Sequence, residues 1–485
     1  MPRLPKPKVS RPSLPPPPSL WSDTTRRIFA VLGVVLVGAI GFGVGYLVFD
    51  SSDEDQPAPT VVVKGSGEDE GPQIAFPEFA TRNTTRIGGA EPTDDAAGVA
   101  LASYPTGGGV DGPSAVVLAP AESWQQALAA TPLVADPIGA PILLSESGAV
   151  PEITQQALDG LKPRGLAEAQ GAQVVTIGDV AAPTDLVTLP IQGIDETAIA
   201  DQVDSQRGKL TGEDDPAHIV VVSSTDAGYA MPAAAWAARS GDPILFADGD
   251  DVPDGTLAVV KRHPDTPIYV LGPETVISNA ALKTLGKEGG DVTRVGAEDP
   301  VANALTFARY SDGDFGWNIN DPGHGFAIAN VDRPLDAAAA APLATAGGTP
   351  GPLLLTDSAD KIPDQLRGFL IDTQPGYVDD PTRAVYNRIW LLGDAAAISV
   401  GFQAQLDELT RLAPVNDAAS DATPDDSGSD EAPDDSGDTT SDDTGDTTSD
   451  DDTTDDSTSD DSGDTTSDDS GDSTDDGGLV PSPVP

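Results

Sequence analysis

Short runs of Val, Ile and Leu without polar alternation recur through the middle of this chain, separated by stretches of good helix formers. Such runs read as strands buried on both faces of a parallel sheet. Three segments repeat one order of features. The first has 115–119 (AVVLA), an alanine-rich stretch over 122–136, then Pro141-Ile142-Leu143-Leu144. The second has 219–222, then 229–239, then Pro243-Ile244-Leu245-Phe246. The third has 326–329, then 334–345, then Pro352-Leu353-Leu354-Leu355. Each continues into a helix beginning near Pro151, Pro253 or Pro363, a residue tolerated in the first helical turn. Each then reaches an apolar strand ending in glycine: 174–177 before Gly178, 268–271 before Gly272 and 389–392 before Gly393.

Strand, helix, strand is a βαβ order, whose crossovers are right-handed. The expected fold class is α/β, with tandem parallel-sheet modules of roughly 100 residues in a pseudo-threefold arrangement. The pattern divides them at 81–185, 186–290 and 291–415, the middle one being degenerate.

A different pattern precedes them. Residues 28–49 (IFAVLGVVLVGAIGFGVGYLVF) carry no charge. At about 1.5 Å per residue they reach about 33 Å as a helix, enough for a bilayer core of about 30 Å. The expectation is a single-pass membrane anchor with the proline-rich, basic residues 1–27 in the cytoplasm and the rest extracytoplasmic. Residues 50–80 read as a linker. From 416 to 485 the chain is low-complexity Asp/Ser/Thr/Gly with 25 acids and no Lys or Arg, so a disordered, extended tail is expected.

Charge narrows the function. The 485 residues carry a formal net charge of −53, which works against nucleic-acid binding, where Lys and Arg neutralise phosphates. With no cysteine there are no disulfides and no thiolate chemistry. His218, His263 and His324 are far apart and in no metal-ligand spacing, and His218, opening a strand, reads as structural. No GxSxG, P-loop or HExxH motif occurs, and Ser223-Ser224-Thr225-Asp226 at a strand's carboxyl end has no identifiable base. The residues therefore point to no enzyme and to no cofactor. One loop, 312–321, offers Asp312, Asp314, Asn318 and Asn320 as calcium ligands, against a plainer reading as a polar surface loop anchored by Trp317.

The ordered segments resemble the cell wall-binding repeat of type 2, usually found as three tandem copies. The resemblance spans roughly 85–412. It is carried by Arg86-Ile87-Gly88-Gly89-Ala90, Val116-Val117-Leu118-Ala119, Ala127-Leu128-Ala129-Ala130-Thr131-Pro132-Leu133 and Ala140-Pro141-Ile142-Leu143-Leu144. The third copy repeats it as Arg294-Val295-Gly296-Ala297, Pro342-Leu343-Ala344, Pro352-Leu353-Leu354-Leu355 and Trp390-Leu391-Leu392-Gly393-Asp394. Members usually show Asp-Arg-Tyr after the opening glycine. Glu91-Pro92-Thr93 and Glu298-Asp299-Pro300 stand there, and the middle copy reads Leu189-Pro190-Ile191-Gln192-Gly193. The resemblance implies non-covalent attachment to an anionic cell-wall polymer or a peptidoglycan-associated glycan, with Ile142, Leu143, Leu144, Leu353, Leu354 and Leu355 as signature residues. Arg86, Arg294 and Arg333 are the cationic candidates for that polymer. Two alternatives stay open: a regulator or enzyme of polymer metabolism, and a homo-oligomeric structural protein of the envelope.

Overall fold

The computed structural model describes residues 79–415, apart from 106–111, 214, 346–349 and 379. The expected cytoplasmic segment, membrane anchor and acidic tail lie outside the described residues, as does most of the expected linker. Its last two residues, 79 and 80, are not linker but a short strand.

Along the chain the strands are β1 (Phe79–Ala80), β2 (Thr84–Ile87), β3 (Val116–Pro120), β4 (Ile142–Ser145), β5 (Val174–Ile177), β6 (Thr188–Ile191), β7 (Ile219–Ser223) and β8 (Ile244–Ala247). They continue as β9 (Ile268–Leu271), β10 (Val292–Val295), β11 (Gly325–Asn330), β12 (Leu353–Thr356), β13 (Gly376–Tyr377), β14 (Arg388–Leu392) and β15 (Ala413–Pro414). Helices alternate with them, so the class is α/β. Three larger sheets share one order: β4-β3-β5-β6, β8-β7-β9-β10, and β12-β11-β14-β2-β1. Every pairing in them is parallel except β1 with β2.

Each sheet takes an edge strand from the segment that the sequence assigns to the next repeat. β6 completes the first sheet, in register Val174↔Thr188 to Ile177↔Ile191, and β10 completes the second. The third has no following repeat, and β2 returns to it, Leu391 against Arg86 and Leu392 against Ile87. Two of these junctions are continuous chain. The third closes through space.

The apolar runs form strands because both faces are covered. Val116, Leu118, Leu143 and Val174 meet the helices Pro92–Ser103 and Glu152–Leu161 on one face of the first sheet. Val117, Ala119, Ile142, Leu144 and Val175 face a larger core continuous with the other two sheets. In that core the helices Trp124–Ala129, Ala233–Ser240 and Leu335–Ala340 pack together. Ala127, Ala129, Ala234, Ala237, Ala337 and Ala339 are almost wholly buried, and their small side chains let the backbones approach. Burying each Leu of the Pro-Ile-Leu-Leu strands contributes about 1.5–3 kcal/mol. Ile142, Leu143, Leu144, Leu353, Leu354 and Leu355 are all at or below 1 % exposure, so these residues build the core and present no surface to a polymer.

The opening arginines pin the exchanged strands. Arg86 is buried, and its guanidinium donates to the carbonyls of Gly393 (2.7 Å), Asp394 (2.9 Å) and Ile398 (2.6 Å) and to Gln403 Oε1 (3.1 Å). Arg294 on β10 repeats this with Gly272 O (2.8 Å) and Ile277 O (2.6 Å). Pro190 stands at the matching place on β6, and there Gln192 Nε2 reaches Gly178 O at 2.7 Å instead. Arg86 and Arg294 therefore serve strand docking, which corrects their expected use as free cations for a polymer.

The membrane assignment also needs correction. Among the described residues no helix is long and apolar enough to cross a membrane. The longest, Glu196–Thr211, has 16 residues and carries Asp201, Asp204, Arg207 and Lys209. The expected span at 28–49 lies outside the described residues.

Arg86→Met leaves three carbonyls without their charged donor. Such losses cost about 3 kcal/mol in total, and more than Arg294→Met at its less buried site. Urea denaturation of the two variants measures the difference.

Candidate functional site

In α/β proteins ligands meet the loops at the carboxyl ends of parallel strands. Here the loops after β3, β7 and β11 come together. Gln125 Nε2 donates to Ser224 O at 3.1 Å, joining the first loop to the second. Gly228 lies so close to Pro300 that a Cβ would sit 2.8 Å from its ring, with Val331 next beyond at 3.9 Å, which brings the second loop to the third. The helices Trp124–Ala129 and Leu335–Ala340 pack together and complete the vertex. On these loops and the helix starts after them, Trp124, Gln126, Tyr229 and Leu335 are partly exposed and Glu122, Asp226 and Asp332 are exposed.

The three loops hold the next segment in different ways. Tyr229 Oη donates to Glu298 O at 2.5 Å. In the third loop Arg333 takes that role, donating to Ala90 O at 2.7 Å. Its guanidinium also meets Asp336 at 2.7 Å and Asp95 at 2.5 Å, both carboxylates being fully buried. Burial opposes the charge on Arg333, but Asp336 and Asp95 outweigh it and hold its pKa above the ordinary arginine value. Arg333, expected to face a polymer, is thus bound inside the protein. Asp95 and Asp336 were not legible as partners: only the i, i+3 spacing of Arg333 and Asp336 hinted at one pair.

Ser223 is buried, and its Oγ accepts from Thr225 N (3.2 Å) and Asp226 N (2.9 Å), so it caps a turn. Thr225 Oγ1 donates to Asp248 at 2.8 Å. His218 lies elsewhere, with Nδ1 3.1 Å from Asp242 Oδ2, an oxygen that also accepts from Trp236 Nε1 at 2.8 Å.

The loop offered for calcium has another use. Asp312 and Phe315 bond each other's backbone at 2.8 and 3.0 Å, and this turn drives Phe315 into the interior. Phe315 stacks on Tyr269 at 3.6 Å and packs edge-on to Trp236, beside Phe307 and Trp317. Asp312 accepts from Tyr269 Oη at 3.1 Å, Asn318 accepts from Asn320 Nδ2 at 3.1 Å, and Asp314 is exposed. Burial, then the bond to Asp312, raises the Tyr269 pKa. Trp317 anchors the loop as expected, but Phe315 is the deeper residue. Among the described residues no group of three or more His, Cys, Asp or Glu is arranged to hold a metal ion.

A polar cavity of about 230 Å³ lies between the helix Glu196–Thr211 and β7, lined by Asp204, Arg207, Glu213, Asp215 and Asp242. Behind it His263, 2 % exposed, bonds Asp215 through Nδ1 and Asp204 through Nε2, both at 3.0 Å. Arg262 pairs with Asp201 and Asp204 alongside. Of the cavity's charged groups, Asp204 and Asp215 bond His263, Asp242 bonds His218, and Arg207 donates to the carbonyls of Pro132 and Asp136, which suits a fastening between helix and sheet.

Solved structures similar to this one include two cell-wall-named proteins. Cwp6 from Clostridium difficile matches with a TM-score of 0.50 at 18 % identity, over 67 % of this chain and 48 % of that one. Cwp8 from Clostridium difficile matches with a TM-score of 0.52 at 17 % identity, over 68 % and 52 %. What is shared is the fold. The chain spans about half the length of each of these structures. No family model matches the sequence, and no curated protein does.

His263 yields a pH prediction. Burial opposes its charge, but the bonds to Asp204 and Asp215 prevail and raise its pKa above 6.5. The stability this contributes is full below about 6.5 and is lost as pH rises through the folded value. Urea titrations from pH 5.5 to 9 of wild type and His263→Gln should converge at the alkaline end, and NMR should show the imidazolium persisting above pH 6.5.

Proposed function

We propose that this protein is a non-catalytic, cell wall-associated binding protein, in which the three segments act as one pseudo-threefold unit that engages a cell-wall glycan. The observation that carries this reading is the convergence of the loops after β3, β7 and β11 at one vertex, where no single segment provides the whole surface. Trp124 and Tyr229 offer partly exposed rings, Gln126 a carboxamide, and Glu122, Asp226 and Asp332 carboxylates able to accept from sugar hydroxyls. The likeness of fold to Cwp6 and Cwp8 supports the association with the wall.

The charge of this vertex bears on the polymer. Arg86, Arg294 and Arg333 are committed to carbonyls and carboxylates within the fold. An anionic polymer would face an acidic rim, unless a divalent cation such as calcium bridged the two. A hydroxyl-rich glycan meets the same rim without repulsion.

The test is retention of the full chain on purified cell walls at physiological salt, before and after extraction of anionic polymers, with calcium or with chelator. Retention is expected to survive extraction and chelator, and to fall about tenfold in Trp124→Ala, as truncation of an anchoring aromatic costs about 1.4 kcal/mol. Retention lost with the anionic polymers would reinstate them as the ligand. No retention under any condition would sink the binding reading.

A further inference from the structure

The junction that closes through space differs chemically from the two joined by continuous chain. Asp95 lies four residues after Glu91, the N-cap of its helix. The matching places after Asp195 and Asp299 hold Ile199 and Asn303. Asp336, on the neighbouring loop, is matched by Gln126 and Tyr229. Only the through-space junction therefore sets two carboxylates against each other among the described residues, both wholly buried.

They share one cation directly, and the other at this turn, Arg86, bonds the carbonyls of Gly393, Asp394 and Ile398. Arg333 lies between them, and one guanidinium balances one carboxylate. Asp95 Oδ1 accepts from Gly393 N at 3.1 Å, while Arg86 takes the carbonyl of the same Gly393, so the pair and the docking arginine hold one turn from its two sides. Gly393 is at φ +90°, and a Cβ there would lie 2.6 Å from that of Ala397 and 3.3 Å from Arg333 Nε, so the turn has no slack. Glu91 and Asp94 open the Asp95 helix, Asp332 neighbours Arg333 in the chain, and Asp394 follows Gly393. None of these adds positive charge. One nitrogen, Arg333 Nη2, lies 2.5 Å from Asp95 Oδ2 and 3.4 Å from Asp336 Oδ1, and two buried carboxylates brought together this closely are eased by sharing a proton.

We propose that Asp95, Asp336 and Arg333 form a proton-dependent latch: with one proton on the carboxylate pair the junction is closed, and its loss as pH rises loosens β2 from β14. Burial, and for Asp95 the charge of Asp336, raises the pKa of both carboxyls. A raised carboxyl pKa means that the folded state holds a proton the unfolded state has released. Stability is then full below about 4 and declines as pH rises toward the folded value. Asn303 shows what the second junction uses at the matching place, an amide that carries no charge at any pH.

Hydrogen exchange of the full chain at pH 5.5 and pH 8, corrected for intrinsic rates, reads the latch directly. Relative to β6 and β10, the β2 amides of wild type are expected to lose protection at least tenfold at pH 8. Asp95→Asn, and independently Asp336→Asn, should abolish that loss. Protection of β2 that tracks β6 and β10 at both pH values overturns the proposal whatever the variants do. So does a variant that folds and keeps the wild-type pH dependence.

Discussion

A parallel strand cannot be added by a tight turn, and that constraint organises this protein. Each sheet is short of an edge strand until the segment after it supplies one. Two sheets receive theirs from the chain as it runs on, and the third receives β2 from more than 300 residues away along the chain. The polar fastenings gather where covalent continuity is missing. Arg86 threads its donors into the turn after β14, Arg333 bonds Ala90 and Asp95, and Asp407 accepts from Thr81 Oγ1 and Asn83 N at 2.6 and 2.9 Å. Without them β2 would be held to β14 by its backbone ladder alone.

The alanine-rich helices follow from the same geometry. Sheets that share edge strands must lie close, and the helices between them have room only for small side chains. Ala233, Ala234, Ala237 and Ala238 are wholly buried around the single large residue Trp236, whose indole finds Asp242 as its acceptor. Bulk reaches that ring from Phe307 and from the loop 312–321, which brings Phe315 and Trp317 to it. The close approach that forces small residues inside also brings the carboxyl-end loops to one vertex.

The strands were legible in the sequence because burial on both faces removes polar alternation, and Pro141, Pro243 and Pro352 mark their starts. Sheet membership was not. Thr84–Ile87, Thr188–Ile191 and Val292–Val295 read as the openings of new repeats, since proximity in sequence says nothing of which edge a strand pairs with. The site was less legible than the fold. An arginine in a recurring motif looks the same whether it faces a polymer or four oxygens of its own chain. Asp95 sits in an acidic stretch, Glu91 to Asp95, that gives no sign of which carboxylate is buried. Its partner is 241 positions away in the chain.

The return of β2 brings the start of the described chain onto the third sheet, while its end, β15, lies in a two-stranded sheet with β13. Phe79 O accepts from Gln403 Nε2 at 3.5 Å, and β15, just beyond that helix, pairs with β13. Tension between the segments before residue 79 and after 415 would therefore enter through the third sheet and leave through the two-stranded sheet of the same repeat. The first two sheets lie off the line of force, and the mechanical strength of the whole reduces to that of β2 against β14 and its pinning side chains.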